Sequence, residues 1–342
     1  MKSYNLKFKI IKFFFVLLIL NFLFLTFHLN EANAQQVSLS ISPPLLELFI
    51  KPGKSIMVAY RLDNLGDPAF INLKVLSFEA KDNLGNIRIK QEFEGPVRFS
   101  LENSDLQLEQ TFFLKTNGSQ QILLQIRIPE NVPDGDYYYS LLAETAPPTT
   151  SEGIGSARAK VTIGSNILVT ISNAGNIDIK PQVVFFDVLS KLKFNLFGRV
   201  IRIFDSTDNI PLVFIIGNKG KNMIKPEGQI VLKGNFGEVA KYDIISRNIL
   251  AESQRLQEAT PSAQVNCDNN RSDKTCLIPI SLLLSGFFIG KYNLSTQVGF
   301  GENSPMIFSS TSFLAFPFKT TAGILISVLI IIIIIKRSKD KE

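Results

Sequence analysis

The chain is 342 residues long, with a net charge of +6, two cysteines, one histidine and no tryptophan. Residues 1–34 carry +3 and residues 336–342 carry +2, which leaves about +1 for the body between them, so the basic balance does not indicate a nucleic-acid partner. The histidine, His28, lies in the N-terminal segment. The body therefore has no histidine for acid–base catalysis, a serine or cysteine triad, or a zinc site.

The N-terminal segment has the pattern of a secretory leader. Four lysines accompany an apolar stretch from Phe13 to Phe27, and Ala32-Asn33-Ala34 supplies the small residues of a cleavage site. We predict a signal peptide over residues 1–34 and a mature chain that starts at Gln35. An uncleaved anchor helix is the alternative, because the apolar stretch is at the long end of the range for such leaders.

The body has the pattern of an all-β protein. Runs rich in Val, Ile, Phe and Tyr alternate with clusters of Gly, Asn, Asp and Pro, and helical periodicity is scarce. Residues 35–175 are predicted to form one immunoglobulin-like β-sandwich. The clearest strand follows the turn Thr116–Ser119, and one of its faces is entirely apolar, with Ile122, Leu124, Ile126 and Ile128.

Two features of this first half require separate interpretation. Pro43 and Pro44 lie side by side in its first predicted strand, where neither can donate to a ladder. We interpret them as the place where an edge strand crosses from one sheet to the other, and as a device that makes this edge a poorer template for a foreign strand. The segment 146–158, low in large apolar residues, is either a flexible hairpin tip or a binding loop.

Residues 176–314 repeat the pattern of strands and turns more loosely, and a second immunoglobulin-like β-sandwich is predicted there. The strand Ile210–Ile216 and the turn Gly217–Gly220 correspond to a strand and an Asn-x-Gly turn of the first half. Cys267 and Cys276 bracket eight polar residues and are predicted to form a structural disulfide. An exported chain retains disulfides, and this pair lacks the further ligands of a zinc site.

The C-terminal segment is predicted to cross a membrane. Residues 315–335 are apolar apart from Lys319 and a few small polar residues, and they end in six consecutive isoleucines, which is the length that a hydrocarbon core requires of a helix. The tail, residues 336–342, has four basic residues, which marks the cytoplasmic side. Lys319 is expected to reach the headgroups. The chain is thus predicted to be a single-pass type I membrane protein with an extracytoplasmic body.

No catalytic or metal-binding pattern is found in the body. The acidic runs Asp205–Asn209 and Asp268–Asp273 offer oxygen ligands for calcium, but neither fits the calcium-loop pattern, which places a glycine where Asp273 stands. The other carboxylates are scattered along strands and turns, and no pair is singled out for glycoside hydrolysis. We therefore predict no enzymatic activity, no cofactor and no metal site.

Two stretches, Ile41–Val75 and Asn117–Glu144, resemble bacterial surface proteins of the DUF916 type, named for a WxL-protein-interacting, peptidoglycan-binding domain. The features in common are the Ser-Pro opening strand, the Pro-Gly turn, the Asn-x-Gly turn after the second strand, and the Ile-Pro-Glu entry to an aromatic strand. The resemblance covers roughly residues 37–175. It implies immunoglobulin-like domains followed by a C-terminal span, and attachment to the cell surface or to wall polymer, but it transfers no binding residue.

Three functions remain open from the sequence. The first is a non-enzymatic cell-surface protein that binds peptidoglycan, another wall polymer or a protein partner through sheet edges and loop tips. The second is a membrane-tethered, chaperone-like assembly factor that pairs a strand with secreted subunits, which requires a long, unprotected edge strand. The third is a structural spacer in an envelope complex.

Overall fold

A computed structural model describes residues 13, 15, 18, 37–146, 160–196, 198–261, 279–301 and 304–339. Most of the predicted signal peptide, nearly all of the segment 146–158, and both cysteines lie outside these residues. The predicted disulfide between Cys267 and Cys276 is therefore a prediction on which the structure does not bear.

The described chain is mostly strand, with one long apolar helix at its C-terminal end. The first half contains ten strands: β1 (Leu39–Ser42), β2 (Leu45–Ile50), β3 (Ser55–Asn64), β4 (Ala69–Ala80), β5 (Ile87–Ile89), β6 (Arg98–Leu101), β7 (Thr111–Leu114), β8 (Gly118–Arg127), β9 (Gly135–Ala146) and β10 (Thr162–Ile171). The second half contains β11 (Pro181–Val188), β12 (Leu192–Leu196), β13 (Arg199–Asp205), β14 (Ile210–Asn218), β15 (Glu227–Gly234), β16 (Val239–Asp243), β17 (Gln254–Leu256), β18 (Leu282–Leu284), β19 (Gly290–Gly299), β20 (Ile307–Phe316) and then α1 (Phe318–Lys339).

The first half packs two sheets on one buried core. One sheet has the order β1-β3-β8-β6, and the other has the order β2-β10-β9-β4-β5, with β7 also paired to β4. The alternation predicted for β8 is confirmed, because Ile122, Leu124, Ile126 and Ile128 are all fully buried. Their neighbours in the core include Tyr60, which comes from β3 in the same sheet.

The second half repeats this arrangement around a separate core. Its sheets have the orders β11-β14-β17, with β18 also on β14, and β12-β13-β20-β19-β15-β16. In the first half, β1 pairs antiparallel with β3 in one sheet, β2 pairs in parallel with β10 in the other sheet, and β10 pairs antiparallel with β9. In the second half, β11 pairs antiparallel with β14, β13 pairs in parallel with β20, and β20 pairs antiparallel with β19. The connectivity common to the halves agrees with the repeat predicted from the sequence.

The crossing predicted at the paired prolines is confirmed. β1 pairs antiparallel with β3 in one sheet, and β2 pairs in parallel with β10 in the other. The prolines lie between the two strands, where their carbonyls are still used: that of Pro43 accepts from Ser165 Oγ at 2.6 Å, and that of Pro44 accepts from the Asn166 N–H at 3.1 Å. Because neither proline lies within β2, all six residues of β2 keep their N–H groups, and the prolines blunt this edge less than the sequence suggested.

Two buried asparagines hold equivalent turns in the two halves. Asn64 ends β3 and Asn218 ends β14, and each accepts through Oδ1 from a glycine N–H two residues later, at 3.0 Å. Through Nδ2, Asn64 donates to the Asp67 and Leu114 carbonyls, while Asn218 donates to the Asn222 and Leu250 carbonyls. Each amide thus ends a strand and binds it to a distant segment, as the parallel between the two turn sequences indicated.

The helix begins slightly later than the sequence predicted. Ala315 and Phe316 belong to β20, where they pair with Gly290 and Asp205, so the predicted span of residues 315–335 begins in a strand. Its segment Phe318–Lys336 is long and apolar enough to cross a membrane, and no part of it is buried in the body.

We predict that Asn64→Ala and Asn218→Ala each lower the free energy of unfolding by about 2–3 kcal/mol, because each removes several buried hydrogen bonds and leaves carbonyl groups without a donor. Denaturant titration of the full chain measures this change. Asn173→Ala, at an exposed asparagine, is the control and is expected to change stability by less than about 0.5 kcal/mol. Equal stability of all three variants would contradict the role assigned to the two amides.

Candidate functional site

The last strand of the second half lacks a ladder partner along most of one edge. β20 pairs along nearly its whole length with β19, but on its other side β13 pairs only with its last three residues, Leu314, Ala315 and Phe316. Within the described part of the chain, no strand pairs with the preceding seven residues, Ile307–Phe313, on that side. This stretch, which we call the open edge, is a ready-made template for an added strand.

Ladder geometry shows which backbone groups the open edge offers. The Ser206 N–H donates to the Phe316 carbonyl at 3.2 Å, so the even-numbered residues of β20 direct their N–H and C=O groups toward β13 and away from β19. Phe308, Ser310 and Ser312 follow the same alternation. Their backbone groups therefore point toward the side where β13 forms no ladder, and where β11 runs nearby without pairing with β20.

A groove of about 570 Å³ runs along this edge. Its floor is polar, with Asn293, Ser295, Ser310 and Ser312 from β19 and β20. Its far wall comes from β11, where Val184 and Phe185 are 43% and 39% exposed. The groove therefore combines free backbone groups with one apolar wall, which suits an extended peptide better than a compact ligand.

A half-buried ion pair lines the groove. Asp187 of β11 accepts from Arg202 of β13 at 2.5 Å and from Thr311 Oγ1 of β20 at 2.8 Å. The Asp187 and Arg202 side chains are 16% and 18% exposed. One carboxylate thereby connects three strands at the point where β13 separates from β20.

The edge of β2 is a second, shorter uncovered edge. In its parallel pairing with β10, the alternate residues Leu45, Glu47 and Phe49 direct their backbone groups outward. Leu45 and Phe49 are 44% and 56% exposed, but Glu47 is bonded to Asn248 of the second half at 2.5 Å. Part of this edge is therefore already in contact with the chain itself.

The two halves meet across a cleft of about 420 Å³, which lies between the outer face of the β2-β10-β9-β4 sheet and residues 246–255. Asp136 accepts from Asn222 Nδ2 at 2.7 Å and from the Met223 N–H at 2.5 Å. Tyr138 donates to Asp136 and accepts from the Ala251 N–H at 2.8 Å. These hydrogen bonds join the halves through specific polar contacts.

Burial shifts the pKa of two titratable groups at the contact between the halves. Burial, reinforced by the neighbouring Asp136 carboxylate, raises the pKa of Tyr138 far above its usual value, so its hydroxyl remains a donor. Burial likewise lowers the pKa of Arg255, whose guanidinium lies against Gly85 and donates to the Asn248 carbonyl at 2.8 Å. The Tyr138 hydroxyl thus joins the halves, and the Arg255 guanidinium borders the cleft.

The residues weighed for calcium are used for structure where they are described. Asp205 accepts from the Thr207 N–H and hydroxyl and from the Lys319 N–H, while Asp208 binds the Lys319 ammonium at 2.5 Å. Lys319 was expected to reach the headgroups, and it instead pairs with the body. Among the described residues, no group of three or more His, Cys, Asp or Glu side chains is placed to hold a metal ion.

No family model and no curated protein matches this sequence. Among solved structures, the chain is similar to the class 5 fimbriae chaperone CfaA, with 11% identity, 80% of this chain and 99% of that chain covered, and a TM-score of 0.35. It is also similar to the E. coli chaperone DraB (14% identity, 82% and 98% covered, TM-score 0.34) and to the CsuC–CsuE chaperone–tip adhesion subunit pre-assembly complex of Acinetobacter baumannii (11%, 82% and 99%, 0.32). Likenesses this distant support no conclusion about the function of this chain.

Sequence reasoning assigned no binding residue and did not identify the open edge. The open edge follows from the difference between the length of β20, ten residues, and the three of its residues that pair with β13. That comparison requires the pairing register, which the sequence does not contain.

We predict that Tyr138→Phe weakens the contact between the halves, because the Ala251 N–H loses its acceptor. The loss of one hydrogen bond of about 1 kcal/mol corresponds to roughly fivefold faster amide exchange at Ala251. Hydrogen exchange with mass spectrometry across residues 246–255 measures the effect. Tyr137→Phe is the matched control, because the Tyr137 hydroxyl donates only to the nearby Pro133 carbonyl. Unchanged exchange in Tyr138→Phe would show that this hydroxyl does not hold the contact.

Proposed function

We propose that this chain is an exported, membrane-anchored, non-enzymatic protein that binds an extended segment of a protein partner by strand addition. The observation that carries the proposal is the open edge of β20, seven residues long and bordered by a groove. This is the chaperone-like function among those that the sequence left open. The fimbrial chaperones are too distant to support it, and it depends on the edge alone.

Main-chain pairing would supply most of the affinity. Phe308, Ser310 and Ser312 offer three N–H and three C=O groups, and each hydrogen bond formed with a partner contributes about 0.5–1.5 kcal/mol net. Val184 and Phe185 would contact alternate side chains of the added strand. Because the floor of the groove is made of serine and asparagine, its side chains select weakly among sequences. A site of this kind suits a protein that handles several related partners.

The remaining parts of the proposal concern architecture and placement. We interpret the two cores with common connectivity as two tandem immunoglobulin-like domains, residues 35–175 and 176–314. The apolar helix would be the span, with the body outside the membrane and residues 336–342 in the cytoplasm. The relationship to DUF916-type proteins stays part of this proposal and rests on the sequence motifs alone.

Binding of wall polymer is the second candidate function. The cleft between the halves is lined by side chains that suit a polyhydroxylated ligand, such as Asn86, Asn248, Gln254 and Arg247. However, Asn248 is already bonded to Glu47 of the first half, so a polymer would have to displace a contact that joins the halves. At the open edge an added strand would compete only with β11, whose Asp187 is bonded to Thr311, and the contacts between the halves would stay intact.

We predict that Ser310→Pro abolishes partner binding, whereas Ser310→Ala does not. Proline removes the outward N–H and places its ring in the path of an added strand, but the pairing with β19 uses the neighbouring residues and survives. Alanine keeps the N–H and removes only the hydroxyl, which makes it the matched control. The measurement is photocross-linking from position 312 of the full chain in envelopes of the producing cell, followed by mass spectrometry.

A cross-link to a defined partner segment that is present with Ser310→Ala and lost with Ser310→Pro supports strand addition. Equal cross-linking in both variants contradicts it. Co-sedimentation of the full chain with purified peptidoglycan, unaffected by Ser310→Pro, would instead favour the wall-polymer function.

A further inference from the structure

Several large apolar side chains are exposed together at one end of the second half. Phe236 lies in the turn between β15 and β16 and is 77% exposed, while Phe287 and Ile289, just before β19, are 62% and 43% exposed. Phe316, at the end of β20, and Phe318, at the start of α1, are 46% and 41% exposed. We call these five residues the apolar rim.

Strand pairing shows that the rim residues lie at the same end of one sheet. Gly234 pairs with Tyr292, Gly290 pairs with Ala315, and Asp205 pairs with Phe316. The Phe236 ring is 3.7 Å from the position that a Cβ on Gly290 would take. The rings of Phe316 and Phe318 have centroids 5.0 Å apart. The rim therefore surrounds the point where the helix leaves the body.

The start of the helix is bonded to that end of the body. The Lys319 N–H, in the first turn of α1, has no carbonyl partner within the helix and donates to Asp205 at 2.8 Å. The Asp205 side chain is only 6% exposed, and the carbonyl of the adjacent Ser206 accepts from the Phe288 N–H at 2.9 Å. The same short loop thus contacts both the helix and the segment that carries Phe287 and Ile289. This loop therefore keeps the rim in a fixed position relative to the start of the helix.

We infer that the apolar rim is a lipid-docking surface that inserts into the headgroup layer of the bilayer that α1 crosses. This inference rests on the span in the proposed function. Lipid is the occupant that the structure favours, because the rim is continuous with the first residue of the apolar helix and because Lys319, next to Phe318, is paired with Asp208. The apolar side chains of surfaces that bind at the membrane interface are buried about 5–10 Å into the boundary between headgroups and acyl chains.

The absence of tryptophan from the chain permits a direct test. Full-length chain carrying Phe236→Trp or Phe287→Trp would be reconstituted into phosphatidylcholine vesicles brominated at shallow or deep acyl positions. Phe308→Trp is the matched control: Phe308 is 66% exposed on the same strand as Phe316, but it lies eight residues away, about 26 Å. Leu329→Trp, within the helix, reports on the span itself.

The expected result is strong quenching by shallow bromines and a blue-shifted emission in the Phe236→Trp and Phe287→Trp variants, against little quenching at position 308. Quenching at positions 236 and 287 no greater than at 308, while position 329 is quenched by deep bromines, overturns the lipid-docking surface and leaves the span intact. Failure of position 329 to be quenched by either lipid overturns the proposed span and this inference with it. Either rim variant alone suffices for the comparison if the other does not fold.

Discussion

The division of an early strand between two facing sheets is the constraint on which the rest of this structure depends. In each half the chain begins in one sheet and then crosses to pair in parallel with the last strand of the other sheet. How far that parallel pairing extends decides how much of the last strand is left uncovered. In the first half it covers six residues of β10, and in the second half it covers only three residues of β20.

This difference explains why two halves with one connectivity present different surfaces. The β12–β13 hairpin separates from β20 at Arg202, where the pair with Asp187 replaces further ladder hydrogen bonds. In the first half, β2 continues alongside β10 to Ile171, and its own outer edge is partly occupied by contact with the second half. The unpaired backbone of β20 thus follows from where one hairpin bends, and no special residue in β20 is needed to produce it.

Much of the fold could be predicted from local sequence, because the relevant signals are local. The apolar face of β8, the turns at Asn64 and Asn218 and the crossing at Pro43 and Pro44 each depend on a few neighbouring residues. The onset of the helix was misjudged by a few residues, because Ala315 and Phe316 are as apolar as the helix and only their pairing with β19 and β13 assigns them to a strand. The candidate site depends on register between residues more than a hundred positions apart, and that information is absent from hydrophobic periodicity.

The closeness of the open edge to α1 has a consequence for the geometry of any bound partner. Phe313 lies only three residues before Phe316, and at about 3.3 Å per residue the open edge extends along β20 from roughly 10 to 30 Å from the end of the strand next to the helix. With α1 in the bilayer, an added strand would run along β20 within one small-domain diameter of the headgroups. A partner bound there would diffuse with this chain in the plane of the membrane. The rest of the partner's chain would have to fit between the added strand and the lipid, or extend away parallel to the membrane surface.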